Sequence, residues 1–359
     1  MYQSYQIKYL RSTSLIITVM ILLACKREDI TTEDIGTKNK FVFEKVQSGE
    51  YGPIQSVLIY KDQQLITEGY FNGSHKDDVH TMQSVSKSIT SLLTGIAIEK
   101  GFIKSKEDYI KDYLPEYIED FNNDPLKSSI RIIDLLNMKS GLDWSEDPYI
   151  GSPLHELNTS SNDWAALVVK RGMRYTPGTH WQYNSGGMVL LSKILWNATR
   201  MRTDSFAAAY LFKPLQIDTA RWYRSPFDKL PHTGGGVLLK ARSLMNIGIC
   251  LLQNGKWNHT QVIPEQWLKT SFSPAQATSL MGYQVHHQYA WWLFPETKSG
   301  VVTTDKRVIT ASGAMGQWMF LFPEKNIVIV LTGNANGVPD QSLRFLYDVL
   351  IPVYVSNQK

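Results

Sequence analysis

A chain of 359 residues is long enough for one large domain or two smaller ones, with a core that needs no disulfide or metal staples. The composition is ordinary for a globular protein, rich in Trp (10) and Tyr (18), and the formal charge of +4 falls to +2 without Lys8 and Arg11, which lie in a segment read below as removed. No basic run points to a nucleic-acid partner.

Met1 to Ala24 starts basic and runs into Leu15-Ile-Ile-Thr-Val-Met-Ile-Leu-Leu-Ala24, an apolar stretch too short to span a bilayer as a helix. It reads as an export signal. Leu22-Leu23-Ala24-Cys25 resembles the lipobox of bacterial lipoproteins, in which the cysteine is lipidated and becomes the new N-terminus. That resemblance implies a lipoprotein signal peptide over 1–24, lipidation at Cys25, and a protein exported and tethered by its acyl chains to the cell envelope, on the periplasmic side or at the cell surface. An ordinary signal peptide with an incidental cysteine is the alternative. Lys26-Arg-Glu-Asp29 resembles the charged stretch that some Bacteroidetes-type lipoproteins use for surface display, and is equally what a solvated tether contains. Residues 25–48 read as a tether, with the folded domain over 49–359.

Val57 to Tyr60 and Leu65 to Tyr70, separated by Lys61-Asp-Gln-Gln64, predict an antiparallel hairpin. Ser84-Val85-Ser86-Lys87 then opens a run whose apolar residues Ile89, Leu92, Leu93, Ile96 and Ile98 recur at mostly helical spacing until Gly101. Residues i and i+3 share a helix face, so Ser84 and Lys87 are neighbours there. A serine hydroxyl is a poor nucleophile until a base takes its proton, and a lysine kept neutral by desolvation can be that base. The N–H groups of a helix start can receive a developing oxyanion. The bland alternative is a serine N-cap followed by a solvated lysine.

A mainly helical stretch follows, clearest at Ile130 to Leu136, Trp164 to Val169 and Gly187 to Leu195. Its segment Trp144 to Trp164 is placed to overhang a site. Tyr175-Thr-Pro-Gly-Thr-His-Trp-Gln-Tyr183-Asn184-Ser185-Gly186-Gly187 puts a tyrosine and polar side chains in a turn before a helix. Tyr183 could relay a proton between Ser84 and a leaving group, or be a buried aromatic with a satisfied hydroxyl. Beyond residue 230 come helices at Ala241 to Leu252 and from Pro264, then strand-like runs at Tyr289 to Phe294, Arg307 to Ala311, Trp318 to Phe322 and Ile327 to Leu331, and a last helix from Gln341. Cys250, in an apolar run, reads as a buried structural thiol, and His286-His287 as a surface pair. Ala311-Ser312-Gly313-Ala314-Met315-Gly316-Gln317 joins two strands with small residues, either a plain hairpin turn or a place where a substrate lies against a strand edge and a free N–H serves as an oxyanion donor.

The fold class expected is α/β (α+β), an antiparallel sheet flanked by helices and built from both chain ends, about 49–105 and 228–359, with a mainly helical region inserted over about 106–227.

Together Ser84-Val-Ser-Lys87, Leu135-Leu-Asn-Met-Lys-Ser-Gly-Leu142, Pro177-Gly-Thr179 with Tyr183-Asn-Ser185, Gly234-Gly-Gly236 and Ser312-Gly-Ala-Met-Gly-Gln317 resemble, in order and spacing, the serine beta-lactamase and penicillin-binding-protein superfamily. Within it they are most similar to class C-like serine hydrolases and carboxylesterases, including those similar to 6-aminohexanoate-dimer hydrolase. The resemblance implies a beta-lactamase/transpeptidase-like fold, Ser84 as the acylated nucleophile, Lys87 as its general base, Tyr183 as second acid/base, and the Ser84 and Ala314 N–H groups as oxyanion hole. Ser312, Gly313 and Ser185 would contact substrate.

Two positions depart from that pattern. Ser185 stands where beta-lactamases and D-Ala peptidases usually carry Asn, and Ala311 stands where they carry a Lys or His that attracts the substrate carboxylate. Lys306 and Arg307 are near in sequence, but alternation along a strand does not fix which way they point. The expected function is hydrolysis of a small ester, amide or peptide through an acyl-enzyme on Ser84. A beta-lactamase or D-Ala-D-Ala-type peptidase acting on peptidoglycan is the alternative, and a catalytically silent surface binding protein comes third. No cofactor and no metal are implied.

Overall fold

The computed structural model describes residues 32–335 and 341–356; the export signal, the lipobox and Cys25 lie outside the described residues. The N-terminal hairpin forms as expected. Strands β1 (Ile54–Lys61) and β2 (Gln64–Tyr70) pair antiparallel and turn through Asp62 and Gln63, both at positive φ, the backbone of a two-residue hairpin whose twist matches its strands.

After β3 (His80–Thr81) comes helix α2 (Val85–Glu99), buried along nearly its whole length. The helical region holds α3 (Ile118–Asn122), α4 (Pro125–Ser128), α5 (Ile132–Leu136), α6 (Pro153–Thr159), α7 (Trp164–Val169), α8 (Ser185–Thr199) and α9 (Thr203–Ala207). Strands β4 (Arg221–Trp222) and β5 (Val237–Leu239) join β3 in a small sheet of order β3-β5-β4. Helix α10 (Ala241–Leu252), the ribbon β6 (Lys256–Trp257) and β7 (Thr260–Gln261), and α11 (Glu265–Ser271) lead into β8 (Gln276–Leu280), β9 (Tyr283–Gln288), β10 (Trp291–Phe294), β11 (Val308–Gly313), β12 (Gln317–Phe322) and β13 (Ile327–Gly333). Helix α12 (Gln341–Phe345), with its continuation Leu346–Val355, ends the described chain.

The main sheet runs β2-β1-β13-β12-β11-β10-β9-β8, antiparallel throughout, so strands from the chain's two ends meet at β1 and β13. Both faces are covered, which is why β12 and β13 read as unbroken apolar runs. Alternation sorts their side chains. Val328, Val330, Met319 and Leu321 enter the core shared with α2 and α10, whereas Ile327, Ile329, Leu331, Trp318, Phe320 and Phe322 enter a second core under the N-terminal helix α1 (Thr32–Gln47) and the C-terminal helix. Each such fully buried side chain contributes about 1.5–3 kcal/mol through removal from water. Cys250 is fully buried in α10, and desolvation pushes its thiol up to about 12, as befits a packing residue.

Three expectations are corrected. Residues 25–48 are not a tether throughout, because Thr32–Gln47 forms α1 and packs on the sheet. Its apolar stripe is narrow, Val42 and Val46 buried one turn apart with half-buried Phe43 against Phe71, and does not stand out in the sequence. A polar contact completes the docking: Asn39 donates to the Ile66 carbonyl and accepts from Thr67 and Tyr354. Second, β8 and β9 had no counterpart among the expected strands, since as the sheet margin they are only half buried and lack an apolar run. Third, His287 is no surface residue. It pairs with Trp292 across β9 and β10 and is 1 % exposed.

Candidate active site

The approach to α2 is an elbow. Gln83 sits at φ 48 and is tied to Thr81 through its side-chain amide, so the chain reverses from β3 directly into the helix. Ser84 occupies the N-cap position, yet its side chain makes no capping hydrogen bond. Lys87 is 3 % exposed. Both halves of the bland alternative, a capping serine and a solvated lysine, are therefore absent.

The Lys87 amine donates to Ser84 Oγ at 2.9 Å and to the Gly234 carbonyl at 2.5 Å, and lies 4.7 Å from the centre of the Tyr183 ring. The segment carrying Gly234 is fixed to α2 on either side. Thr90 donates to the Thr233 carbonyl, Ser86 Oγ accepts from Val237 N, and Thr233 donates to Met188 on α8. Gly234 is thus the carbonyl that aims Lys87. Its triplet was visible in the sequence, but that purpose was not, because it depends on a contact across 147 residues.

Tyr183 enters from the turn before α8 and meets Lys87 through its ring face. Trp292 stacks behind it at 6.1 Å with an interplanar angle of 25°, and Trp181 and His287 complete an aromatic wall. Asn184 caps α8 by accepting from Gly187 N at 2.8 Å, which leaves Ser185 on the cavity wall. Glu146, which the sequence reading left inside the overhanging segment, locks this turn. It accepts from Ser185 N at 2.5 Å, Ser185 Oγ at 3.1 Å and Trp144 Nε1 at 2.8 Å, and a carboxylate at a helix start also complements the helix dipole.

The turn after β11 closes the opposite side. A Cβ on Gly313 would stand 2.3 Å from the Met82 carbonyl, so only glycine lets this turn rest on the elbow before Ser84. The close approach made possible is thus by the protein's own backbone. Strand β10 pairs with β11 only as far as Thr310, which leaves Ala311 to Gly313 as a local edge. Ala314 lines the cavity beside Ser84, whereas Ser312 and Gly313 lie behind it.

Ser84 thus opens into a cavity of about 760 Å³, within the range of small-molecule sites. Segment 144–164 forms one wall through Tyr149, Leu154, Asn158 and Trp164, and the chain around Tyr223 and His232 forms another. His232 pairs through Nε2 with Asn158 at 3.0 Å. Burial, reinforced by the Lys87 charge, pushes His232 down to about 4 and His287 to about 3, so both rings are neutral at pH 7. Ala311 is fully buried and presents no charge, and neither Lys306 nor Arg307 reaches the cavity wall.

Chemically, the arrangement puts a hydroxyl at a helix start, in contact with a buried amine and facing a half-open cavity. An unprotonated amine held there can take the hydroxyl proton.

Comparison with known proteins gives the family and the fold. The beta-lactamase family model matches residues 53–351. The 6-aminohexanoate-dimer hydrolase of Paenarthrobacter ureafaciens is 23% identical over 292 residues, covering 76% of this chain and 70% of that protein. Among solved structures, EstCE1, a hydrolase with promiscuous acyltransferase activity, superposes with a TM-score of 0.74 at 16% identity, over 90% of this chain and 100% of that one. The D-alanine carboxypeptidase AmpC of Burkholderia cenocepacia does so with a TM-score of 0.64 at 16% identity, over 89% of this chain and 99% of that one. At these identities the superpositions establish the fold.

Proposed function

The chain belongs to the beta-lactamase family and is a hydrolase, and from that premise we propose that it cleaves an ester or linear amide through an acyl-enzyme on Ser84. The observation that carries this reading is the Ser84 hydroxyl, free of capping duty, 2.9 Å from a buried Lys87 amine at the floor of a cavity. Lys87 takes the Ser84 proton as Oγ attacks the substrate carbonyl carbon, while its remaining N–H groups stay on Gly234. Charge building on the carbonyl oxygen meets the N–H groups of Ser84 and Ala314. Tyr183, beside Lys87, passes the proton to the departing alcohol or amine; water then attacks the ester on Ser84 and releases the acid.

A linear amide is favoured by the named activity of the 6-aminohexanoate-dimer hydrolase, which matches over most of both chains. Beta-lactam or D-Ala-D-Ala cleavage ranks lower because Ala311 supplies no cation on the strand beside Ser84. Incubation with a fluorophosphonate is expected to add one adduct to the intact mass, absent from Ser84→Ala; an adduct that survives the substitution overturns the assignment. Turnover of a chromogenic cephalosporin at rates matching simple esters would reverse the ranking.

Export and lipid anchoring at Cys25 belong to the same reading and rest on the sequence of residues 1–25. Among the described residues no helix is long and apolar enough to cross a membrane. Palmitate labelling that Cys25→Ser leaves intact would refute the anchor.

A further inference from the structure

We propose that Arg224 is the specificity residue of this cavity, and that the substrate carries a carboxylate separated from its reacting carbonyl by an apolar spacer. The proposal rests on the acyl-enzyme reading above and concerns the part of the substrate that Ser84 does not touch.

Among the described residues that line the cavity, one is a carboxylic acid, Glu146, and one a guanidine, Arg224. Glu146 is committed, since its two oxygens accept three hydrogen bonds from Ser185 and Trp144. Arg224 is not. Its guanidinium has five N–H donors, and its Nε and Nη2 both turn to a single oxygen of Asp204, at 2.8 and 2.6 Å. Asp204 in turn accepts from Arg202 Nε at 2.6 Å on its other oxygen. One carboxylate therefore serves two guanidiniums and the trio keeps a net charge of +1. The Arg224 side chain is 44 % exposed and stands between this cavity and a smaller one lined by Arg202, Asp204 and Asp218.

The placement is rigid. Arg224 bridges Pro231, while its neighbour Tyr223 donates to the Gly236 carbonyl and accepts from His232 N. The anchor thus belongs to the same folded loop that gives Lys87 its carbonyl, and its position relative to Ser84 is set by backbone. Leu154, Trp164, Tyr223 and Pro226 supply an apolar lining that suits a methylene or aromatic spacer. A planar guanidinium takes a carboxylate through paired N–H groups, and one net positive charge matches a carboxylate better than a doubly charged phosphate ester. Arg224 lines the cavity from the chain around Tyr223 and not from strand β11, where Ala311 is buried and uncharged.

The test uses 4-nitrophenyl monoesters of dicarboxylic acids from succinic to suberic, each paired with its methyl-capped counterpart. The wild type is expected to favour the free carboxylate at least tenfold in kcat/KM at one spacer length, with the preference shrinking in high salt. Arg224→Gln is expected to erase that preference and Arg224→Lys to keep part of it. Adipate binding to Ser84→Ala, followed by calorimetry, is expected to weaken at least tenfold when Arg224→Gln is added; this readout needs no catalysis and so separates failure of the anchor from failure of the acyl-enzyme reading. A wild type that prefers the capped esters at every length overturns the proposal.

Discussion

At its floor the cavity is built of buried groups held by backbone: Lys87, Asn184 and Ser185 are 3, 3 and 2 % exposed, and the Gly234 segment is pinned to both α2 and α8. Its mouth is the opposite. Tyr223 is 56 % and Tyr149 44 % exposed, large side chains on loops at the cavity wall. The two ends respond to different pressures. A reacting hydroxyl and amine must hold their separation to within a fraction of an ångström, which only a packed and hydrogen-bonded surround can do. A mouth that admits and releases a substrate gains from loops that can change residue by residue without disturbing the floor.

Three experiments would sharpen or break this contrast. The largest effect is expected at the floor. Lys87→Met removes the proposed base while filling the same volume, so kcat should fall by about a thousandfold, within the usual range for a general base, and the thermal midpoint should hold, since an apolar side chain suits this buried position. A matching loss of midpoint would mean that Lys87 is chiefly a structural group.

Second is pH. Free histidine titrates near 6.5, whereas folded His232 and His287 titrate near 4 and 3. Above 6.5 both are neutral in either state and contribute no pH dependence. Between 6.5 and 4 the unfolded chain binds protons that the folded chain refuses, so stability falls with pH by up to a few kcal/mol. Denaturant midpoints from pH 7 to 4.5 should show that slope, and His287→Phe, which keeps a ring against Trp181 and Trp292, should flatten it. An unchanged slope in the variant would assign it to other groups.

The smallest effect lies where floor and mouth meet. Glu146→Ala leaves Ser185 N and Trp144 Nε1 without their acceptor and loosens the turn that carries Tyr183, so kcat should drop about tenfold. Glu146→Gln keeps an acceptor oxygen and should restore most of the rate. Equal losses in steady-state assays of both variants would show that the charge, and not the clamp, is what matters.

Much of the floor was legible in sequence because it rests on local rules. The i, i+3 spacing of Ser84 and Lys87 places both on one helix face whatever the rest of the chain does, and the order of Tyr183, Gly234 and Ser312 carried the family resemblance. The apolar runs of β12 and β13 announced strands buried on both faces. What stayed hidden was set by long-range contact. Asn39 makes α1 a docked helix through partners on β2 and at the C-terminus; His287 is buried only because β9 pairs with β10; Glu146 finds Ser185 from 39 positions away. Arg224 joins the cavity by the same route.

By itself, then, the sequence determined the Ser84–Lys87 pair, the elements that carry it and the family to which it belongs, since helix and strand periodicity act within a few residues of each side chain. Only the tertiary structure decided which carbonyl aims Lys87, what clamps the Tyr183 turn and which cation lines the cavity. Those contacts join segments far apart in the chain, and no local periodicity encodes which distant partner will close the distance.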